Sequence, residues 1–286
     1  MITIVTSAYN AQPTIGRAIE SVQFQSFKDW EMIIVDDCST DNTAKIVQSY
    51  ALKDARIRLI QHDKNKGAGL ARRTGISNIR GEYMTFLDSD DYLKPDCLEV
   101  LYSYAINYDV DIVSQGYISV TTEGGVIHEK KPSSKVIQVD GAKFKPNKED
   151  TKRFMNPMLI KSSLWDKVEY SSRRFIEDTP TLVQILYHAR NIMLIDYAGY
   201  YYVQNPYSLI HSASNVKNLI YQTLCIKDIA LFFKSVGMSH LSNDAQFKAN
   251  YKVIKELYTP NDSVKYRNEL DELKQYLKQI LWTRLN

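Results

Sequence analysis

Glu82-Tyr83-Met84-Thr85-Phe86-Leu87-Asp88-Ser89-Asp90-Asp91-Tyr92 is the stretch on which the reading of this chain turns. Tyr83 to Leu87 is short and rich in aromatic and β-favouring residues, which predicts a buried strand rather than a helix. Three carboxylates follow within four positions, Asp88, Asp90 and Asp91. Pro95 then opens a helical pattern, as proline does at a first helical position. Acids at the carboxyl end of a buried strand lie where open α/β sheets bind ligands. Crowded carboxylates repel one another unless a cation sits among them, and hard oxygen donors suit Mg²⁺ or Mn²⁺. A solvated acidic turn has the same local composition.

Upstream of this stretch, strands and helices alternate. Ile2 to Ala8 predicts a strand, and Ile15, Ala18, Ile19 and Val22 are spaced as one face of a helix that Pro13 begins. Trp30–Val35 and Arg56–His62 predict further strands, with helices over Asn42–Leu52 and Leu70–Ile79. Downstream come a helix over about Pro95–Asn107 and a strand over Asp111–Gln115. This order predicts an α/β fold, a mostly parallel central sheet flanked by helices. The dinucleotide-binding variant is excluded, because the turn Ser7-Ala8-Tyr9-Asn10 lacks Gly-x-Gly-x-x-Gly. No phosphate-binding Gly-x-x-x-x-Gly-Lys-Ser/Thr occurs either.

The polar residues at the expected carboxyl edge suit a nucleotide. Tyr9 can stack on a base, Asp37 can accept the N3–H of uracil, and Arg72 with Arg73 can meet a diphosphate. Each also has an ordinary structural explanation: a turn tyrosine, a helix-capping acid, solvated arginines.

Taken together, Val5-Thr6-Ser7-Ala8-Tyr9-Asn10, Ile33-Ile34-Val35-Asp36-Asp37-Cys38-Ser39-Thr40-Asp41, Asn65-Lys66-Gly67-Ala68-Gly69-Leu70-Ala71-Arg72 and Gly81 to Asp91 resemble the family-2 glycosyltransferases of the GT-A fold. The resemblance covers residues 2–115. It implies a nucleotide-sugar donor, usually UDP-linked, and Mn²⁺ or Mg²⁺ held by the Asp-x-Asp element. It places Ser7, Tyr9, Asp37, Arg72, Asp88, Ser89, Asp90 and Glu177 in the nucleotide-sugar site. Asp90, Asp91 and His211 become metal-ligand candidates, with Asp91 preferred over Asp90. It also gives Asp178, in Arg173-Arg174-Phe175-Ile176-Glu177-Asp178-Thr179-Pro180, the role of general base in an inverting transfer. On its residues alone, that acidic pair reads as charge complementing a helix N-terminus. His211 reads equally as a structural histidine.

Residues 1–212 are expected to form the GT-A domain, with a nucleotide-sugar half at 1–115 and an acceptor half at 116–212. Within the second half, Tyr117–Val120 and Val126–Glu129 predict a hairpin, and 128–150 an irregular loop. A helical run covers Thr181–Ala189, with strands at Ile192–Ile195 and Tyr197–Val203. From 213 to 286 the pattern is a helical C-terminal extension, with stripes at Phe247, Tyr251, Ile254 and Tyr258 and at Leu270, Leu273, Leu277, Ile280 and Leu281. From Asn215 onward there are eleven Lys and Arg against seven Asp and Glu. Packing of these stripes on one another is the simplest expectation; contact with an anionic membrane and a homodimer are the alternatives.

A net charge of +3 over 286 residues gives no argument for nucleic acid. Cys38, Cys97 and Cys225 show no metal spacing and imply a reducing compartment. Neither a signal peptide nor a run of about 18 apolar residues is evident. Combined with the resemblance, these features imply a cytoplasmic enzyme, with a peripheral place on the inner face of the membrane as an alternative, that moves a sugar to a glycan or lipid-linked oligosaccharide in bacterial surface polysaccharide synthesis. Two competing classes are weighed. A nucleotidyltransferase would need a Gly-rich loop with Arg near the first strand, and a non-catalytic nucleotide-sugar or glycan-binding module would show broken acidic motifs.

Overall fold

The computed structural model describes residues 1–138, 157–171, 178–204, 215–242, 244–257 and 266–282. The described strands form one ten-stranded sheet. Strands β1 (Ile2–Ala8), β2 (Trp30–Asp36), β3 (Ile57–Gln61) and β4 (Tyr83–Phe86) are mutually parallel and lie in the order β3-β2-β1-β4. All seven residues of β2 are buried, as a strand covered on both faces requires, and its apolar run is correspondingly continuous. Because β2 and β3 lie on one side of β1 and β4 on the other, the strand order reverses at β1. A crevice at the carboxyl ends follows from that reversal.

Helices cover both faces. On one, α1 (Ile15–Gln23), α2 (Thr43–Ala51) and α4 (Cys97–Asn107) pack on Ile2, Ile4, Met32 and Ile34. The buried residues of α1 are Ile15, Ala18, Ile19 and Val22, the four whose spacing predicts its apolar face. On the other face, α3 (Ala68–Ile76) sets Ala71 against Ile33 and Val35. Helix α5 (Asp178–His188) sets Leu182, Ile185 and Leu186 among Val5, Met84, Phe86 and Trp165.

Helix α3 approaches β1 closely at Gly75, where an added Cβ would lie 2.3 Å from Val5 Cγ1. Gly75→Ala is therefore expected to destabilise the protein by about 1–3 kcal/mol through overpacking, despite alanine's better helix propensity. A thermal or urea unfolding midpoint measures this, and an unchanged or raised midpoint would contradict the close approach.

The remaining strands are β5 (Tyr92–Leu93), β6 (Ile112–Val120), β7 (Val126–Lys130), β8 (Lys135–Gln138), β9 (Met158–Lys161) and β10 (Asn191–Val203). Beyond β4 the sheet is mixed rather than parallel. Strand β9 runs antiparallel between β4 and β6. Strand β10 is parallel to β6 but antiparallel to β5 and β8. The hairpin β6–β7 forms as its turn residues imply. Two local expectations change, and one further strand has no counterpart in the sequence reading. Strand β8 lies inside the stretch read as a loop, whose residues 139–150 fall outside the described ones. Strand β9, only four residues long, carries too few positions to show a period. The two strands expected at Ile192–Ile195 and Tyr197–Val203 are one, because the pairing with β6 shifts register between Leu194 and Ala198 and leaves Asp196 exposed instead of ending the strand.

The chain divides into two compact units, Met1–Arg174 with Thr181–Asn205, and Phe175–Pro180 with Pro206–Asn286. In the second, α6 (Asn215–Ser235), α7 (Asp244–Leu257) and α8 (Arg267–Trp282) share a core of Ile220, Leu224, Phe247, Tyr251, Ile254, Leu270 and Leu273. The two stripes face this core, with Phe247 edge-on to Tyr276 at 4.8 Å. Tyr258 is outside the described residues, and the side chain of Leu281 is not among those described. No helix among the described residues is long and apolar enough to cross a membrane.

Candidate active site

The loops that leave β1 and β2 are bolted together. Asn10 and Cys38 take left-handed backbone angles, φ 49° and 61°, a strained geometry that surrounding bonds must hold. Asn10 N–H donates to Ser39 Oγ at 2.9 Å, and Thr40 N–H donates to Asn10 Oδ1 at 2.8 Å. Asp37 N–H donates to the Ala8 carbonyl at 2.8 Å. This arrangement leaves Tyr9 at the rim, 50% exposed, and Ser7 half-buried one turn of the pleat earlier.

Asp37, by contrast, is sunk below the rim, its side chain 3% exposed. Its Oδ1 accepts from Lys66 N–H at 2.9 Å and lies 2.7 Å from His62 Nδ1, while Oδ2 accepts from Gly67 N–H at 2.7 Å. Gly67 has φ 91°, a value that favours glycine and brings both amides of the loop onto one carboxylate. These bonds compensate the charge that burial would otherwise penalise.

The acidic loop after β4 assigns different surroundings to its three carboxylates. Asp88 receives Arg72 Nη2–H at 2.7 Å, and the same guanidinium lies 5.6 Å from the centre of the Phe86 ring. Asp91 is 1% exposed. Its Oδ2 accepts from Tyr200 Oη–H at 2.6 Å and its Oδ1 from Val203 N–H at 2.8 Å. Tyr200 Oη also accepts from Asp88 N–H at 3.3 Å, so β10 grips both ends of the loop. Burial, with the charges of Asp88 and Asp90 behind it, raises the Asp91 carboxyl well above its ordinary range. Burial likewise raises the Tyr200 phenol, with Asp91 the next cause.

Asp90 differs from both. It is half-buried, and burial and then the neighbouring Asp88 push its pKa up to about 6. Its backbone carbonyl accepts from Arg17 Nη2–H at 2.7 Å, and that guanidinium also lies 4.8 Å from the centre of the Tyr92 ring. No hydrogen bond from another described residue reaches its carboxylate. Ser89, between Asp88 and Asp90, is half-buried. No ready-made cluster of three His, Cys, Asp or Glu side chains stands among the described residues. A divalent cation nonetheless fits the donor chemistry here: Asp90 offers an oxygen not bonded to a neighbouring residue, in a loop whose like charges a cation would relieve.

Asp91, the preferred metal ligand on the sequence, has both oxygens hydrogen-bonded within the fold, whereas the Asp90 carboxylate accepts from no other described residue. Sequence reasoning also passed over four residues that shape this site: Arg17, His62, Thr74 and Tyr200. Arg17 and Thr74 lie on helices with no distinguishing local signal, and His62 reads simply as the end of a strand. Tyr200 lies in a recognisably tyrosine-rich strand, but nothing in the sequence says which ring meets the acids. Asp178 is the first residue of α5, half-buried, with a long 3.4 Å bond from Thr179 Oγ1–H. It belongs to the second of the two compact units. Glu177 and His211 are outside the described residues.

A parallel β3-β2-β1-β4 core with an acidic loop after β4 is the arrangement of the GT-A architecture. The family model described as glycosyl transferase family 2 matches residues 3–166, and the chain belongs to that family. It is 28% identical over 224 residues to Glycosyltransferase GlyG of Streptococcus pneumoniae, covering 74% of this chain and 73% of that protein. It is 39% identical over 124 residues to the putative teichuronic acid biosynthesis glycosyltransferase TuaG of Bacillus subtilis, covering 43% of this chain and 49% of TuaG. The match thus spans about half the length of that relative. The crystal structure of S. aureus TarS 1-349 in complex with UDP-GlcNAc has the same fold, with a TM-score of 0.71 at 19% identity over 96% of this chain and 80% of TarS.

Proposed function

We propose that this glycosyltransferase moves a sugar from a UDP-linked donor to a hydroxyl of a glycan or lipid-linked saccharide, with inversion at the anomeric carbon. The observation that carries this reading is the grouping at one sheet edge of Tyr9, the clamped Asp37, and the Arg72–Asp88 pair beside Asp90. An exposed ring suits a base face, a buried carboxylate acceptor suits an imide N–H, and an arginine suits a diphosphate. The UDP-GlcNAc in the TarS complex supports a donor of this class. The likeness to TuaG, a putative teichuronic acid biosynthesis glycosyltransferase, supports a bacterial surface-polysaccharide acceptor.

In this mechanism Tyr9 stacks on uracil and Asp37 accepts its N3–H. Ser7, Asp88 and Ser89 line the ribose and diphosphate, and Arg72 exchanges Asp88 for phosphate oxygens. Asp90 would hold Mn²⁺ or Mg²⁺, with His211 the further candidate ligand, and the bound cation supplies Lewis-acid stabilisation of the departing diphosphate. Asp178, beside Glu177, takes the proton of the acceptor hydroxyl, because a sugar hydroxyl is a poor nucleophile near neutral pH. Residues 1–115 would bind the donor and 116–212 the acceptor. The acceptor is expected at the cytoplasmic face of the membrane, with the helices of 213–286 free to make a peripheral or dimer contact.

Thermal-shift titration with UDP, ADP, GDP and CDP sugars in the presence of Mn²⁺ tests the donor. UDP-sugars are expected to stabilise the protein most, and acceptor-dependent release of UDP is expected to follow. Equal stabilisation by every nucleotide sugar would reject the uridine reading. Tight donor binding with no turnover on any acceptor would favour a binding module.

A further inference from the structure

Behind Asp37 stands a second layer of polar groups that the reaction itself does not use. The His62 side chain is only 6% exposed. Its Nδ1 lies 2.7 Å from Asp37 Oδ1 and its Nε2 lies 2.9 Å from Thr74 Oγ1. Thr74 projects from α3, and its Oγ1 is 3.0 Å from the Leu70 carbonyl oxygen. An ionised carboxylate has no proton to give, so the Nδ1–H is the donor to Asp37. The ring is therefore fixed at both nitrogens, and His62 is fixed at its backbone as well, where its N–H donates to the Asp36 carbonyl at 2.9 Å.

This geometry decides what Asp37 has left to offer. A carboxylate presents about four acceptor positions. His62 and Lys66 N–H take both positions on Oδ1, and Gly67 N–H takes one on Oδ2. The open position is on Oδ2, and only a donor can fill it. A base with an imide N–H there completes the set. A base with a ring lone pair at the same position, as in cytosine, meets an acceptor facing an acceptor.

We infer that His62, held by Thr74, is a positioning residue that locks the Asp37 carboxylate with one acceptor position aimed at the nucleobase and so sets the preference for uracil over cytosine. The inference rests on the uridine-nucleotide reading above. Without the imidazole, Oδ1 loses a donor and the carboxylate is free to turn toward other partners, so the open position is no longer fixed. A residue that merely fills space would weaken all nucleotides alike.

The test is calorimetric titration of the full chain with UDP and with CDP. His62→Leu is expected to weaken UDP by about 10–100-fold, the scale of a lost hydrogen bond to a charged group, with CDP changing little, so the UDP-to-CDP ratio collapses. His62→Asn, whose amide nitrogen can take the place of Nδ1, is expected to keep most of the ratio. Thr74→Val should lower it by a smaller factor. A wild-type ratio in His62→Leu, or an equal collapse in His62→Asn, would overturn the inference. If the leucine variant does not fold, the asparagine and valine variants carry the comparison, and a wild-type ratio in Thr74→Val would then overturn it. Wild-type protein that binds UDP no better than CDP would instead bring down the uridine reading itself.

Discussion

Asp178→Asn is expected to bind a UDP-sugar with wild-type affinity while transfer falls by about 10²–10⁴-fold, the range a positioned general base supplies. The substitution keeps size and hydrogen-bonding reach but removes the ability to accept a proton. The α5 terminus should tolerate it, because asparagine is also a good residue at a helix start and, among the described residues, the aspartate accepts one long bond, from Thr179 Oγ1–H. Donor affinity measured by titration and product formation measured with saturating acceptor separate the two effects. Full transfer by the asparagine variant would remove Asp178 from the chemistry. Weakened donor binding with unchanged turnover would reassign it to the donor pocket.

The second large effect is expected at Asp90. Asp90→Ala should abolish the response to added Mn²⁺ and lower transfer by about 10²–10³-fold, since Lewis-acid stabilisation of a leaving group is worth several kcal/mol. Its unfolding midpoint should stay the same or rise. A carboxyl raised to about 6 in the folded chain is penalised by folding once the pH passes its unfolded value near 4, so its removal costs no stability at neutral pH. Asp91→Ala is expected to differ in kind. It leaves the Tyr200 hydroxyl and the Val203 amide without their buried acceptor, which costs about 1–3 kcal/mol or more of stability. Metal titration and thermal unfolding of the two variants distinguish them. An Asp91 variant of normal stability that has lost its metal response would make Asp91 the ligand instead of Asp90.

These two residues also show how far the amino-acid order carries. The parallel core was legible because burial on both faces forces continuous apolar runs such as Met32–Val35, and one-sided burial forces the spacing of Ile15, Ala18, Ile19 and Val22. The acidic loop was legible because like charges crowd there. Which acid does what was not, because Tyr200 and Val203 decide it from about 110 positions downstream. His62 escaped notice for a similar reason, since its importance depends on Asp37 and Thr74, each on a different element. Strand β9 was hidden by its brevity, and the shift of register in β10 disguised a single strand as two.

That long strand has a practical consequence. Asn191–Val203 pairs with β6, β5 and β8 and also grips the acidic loop. Anyone grafting segments between relatives to change which sugars are joined should make the junctions before Asn191 or after Val203. A crossover within it would mismatch neighbouring strands and, in the same stroke, release Asp88 and Asp91.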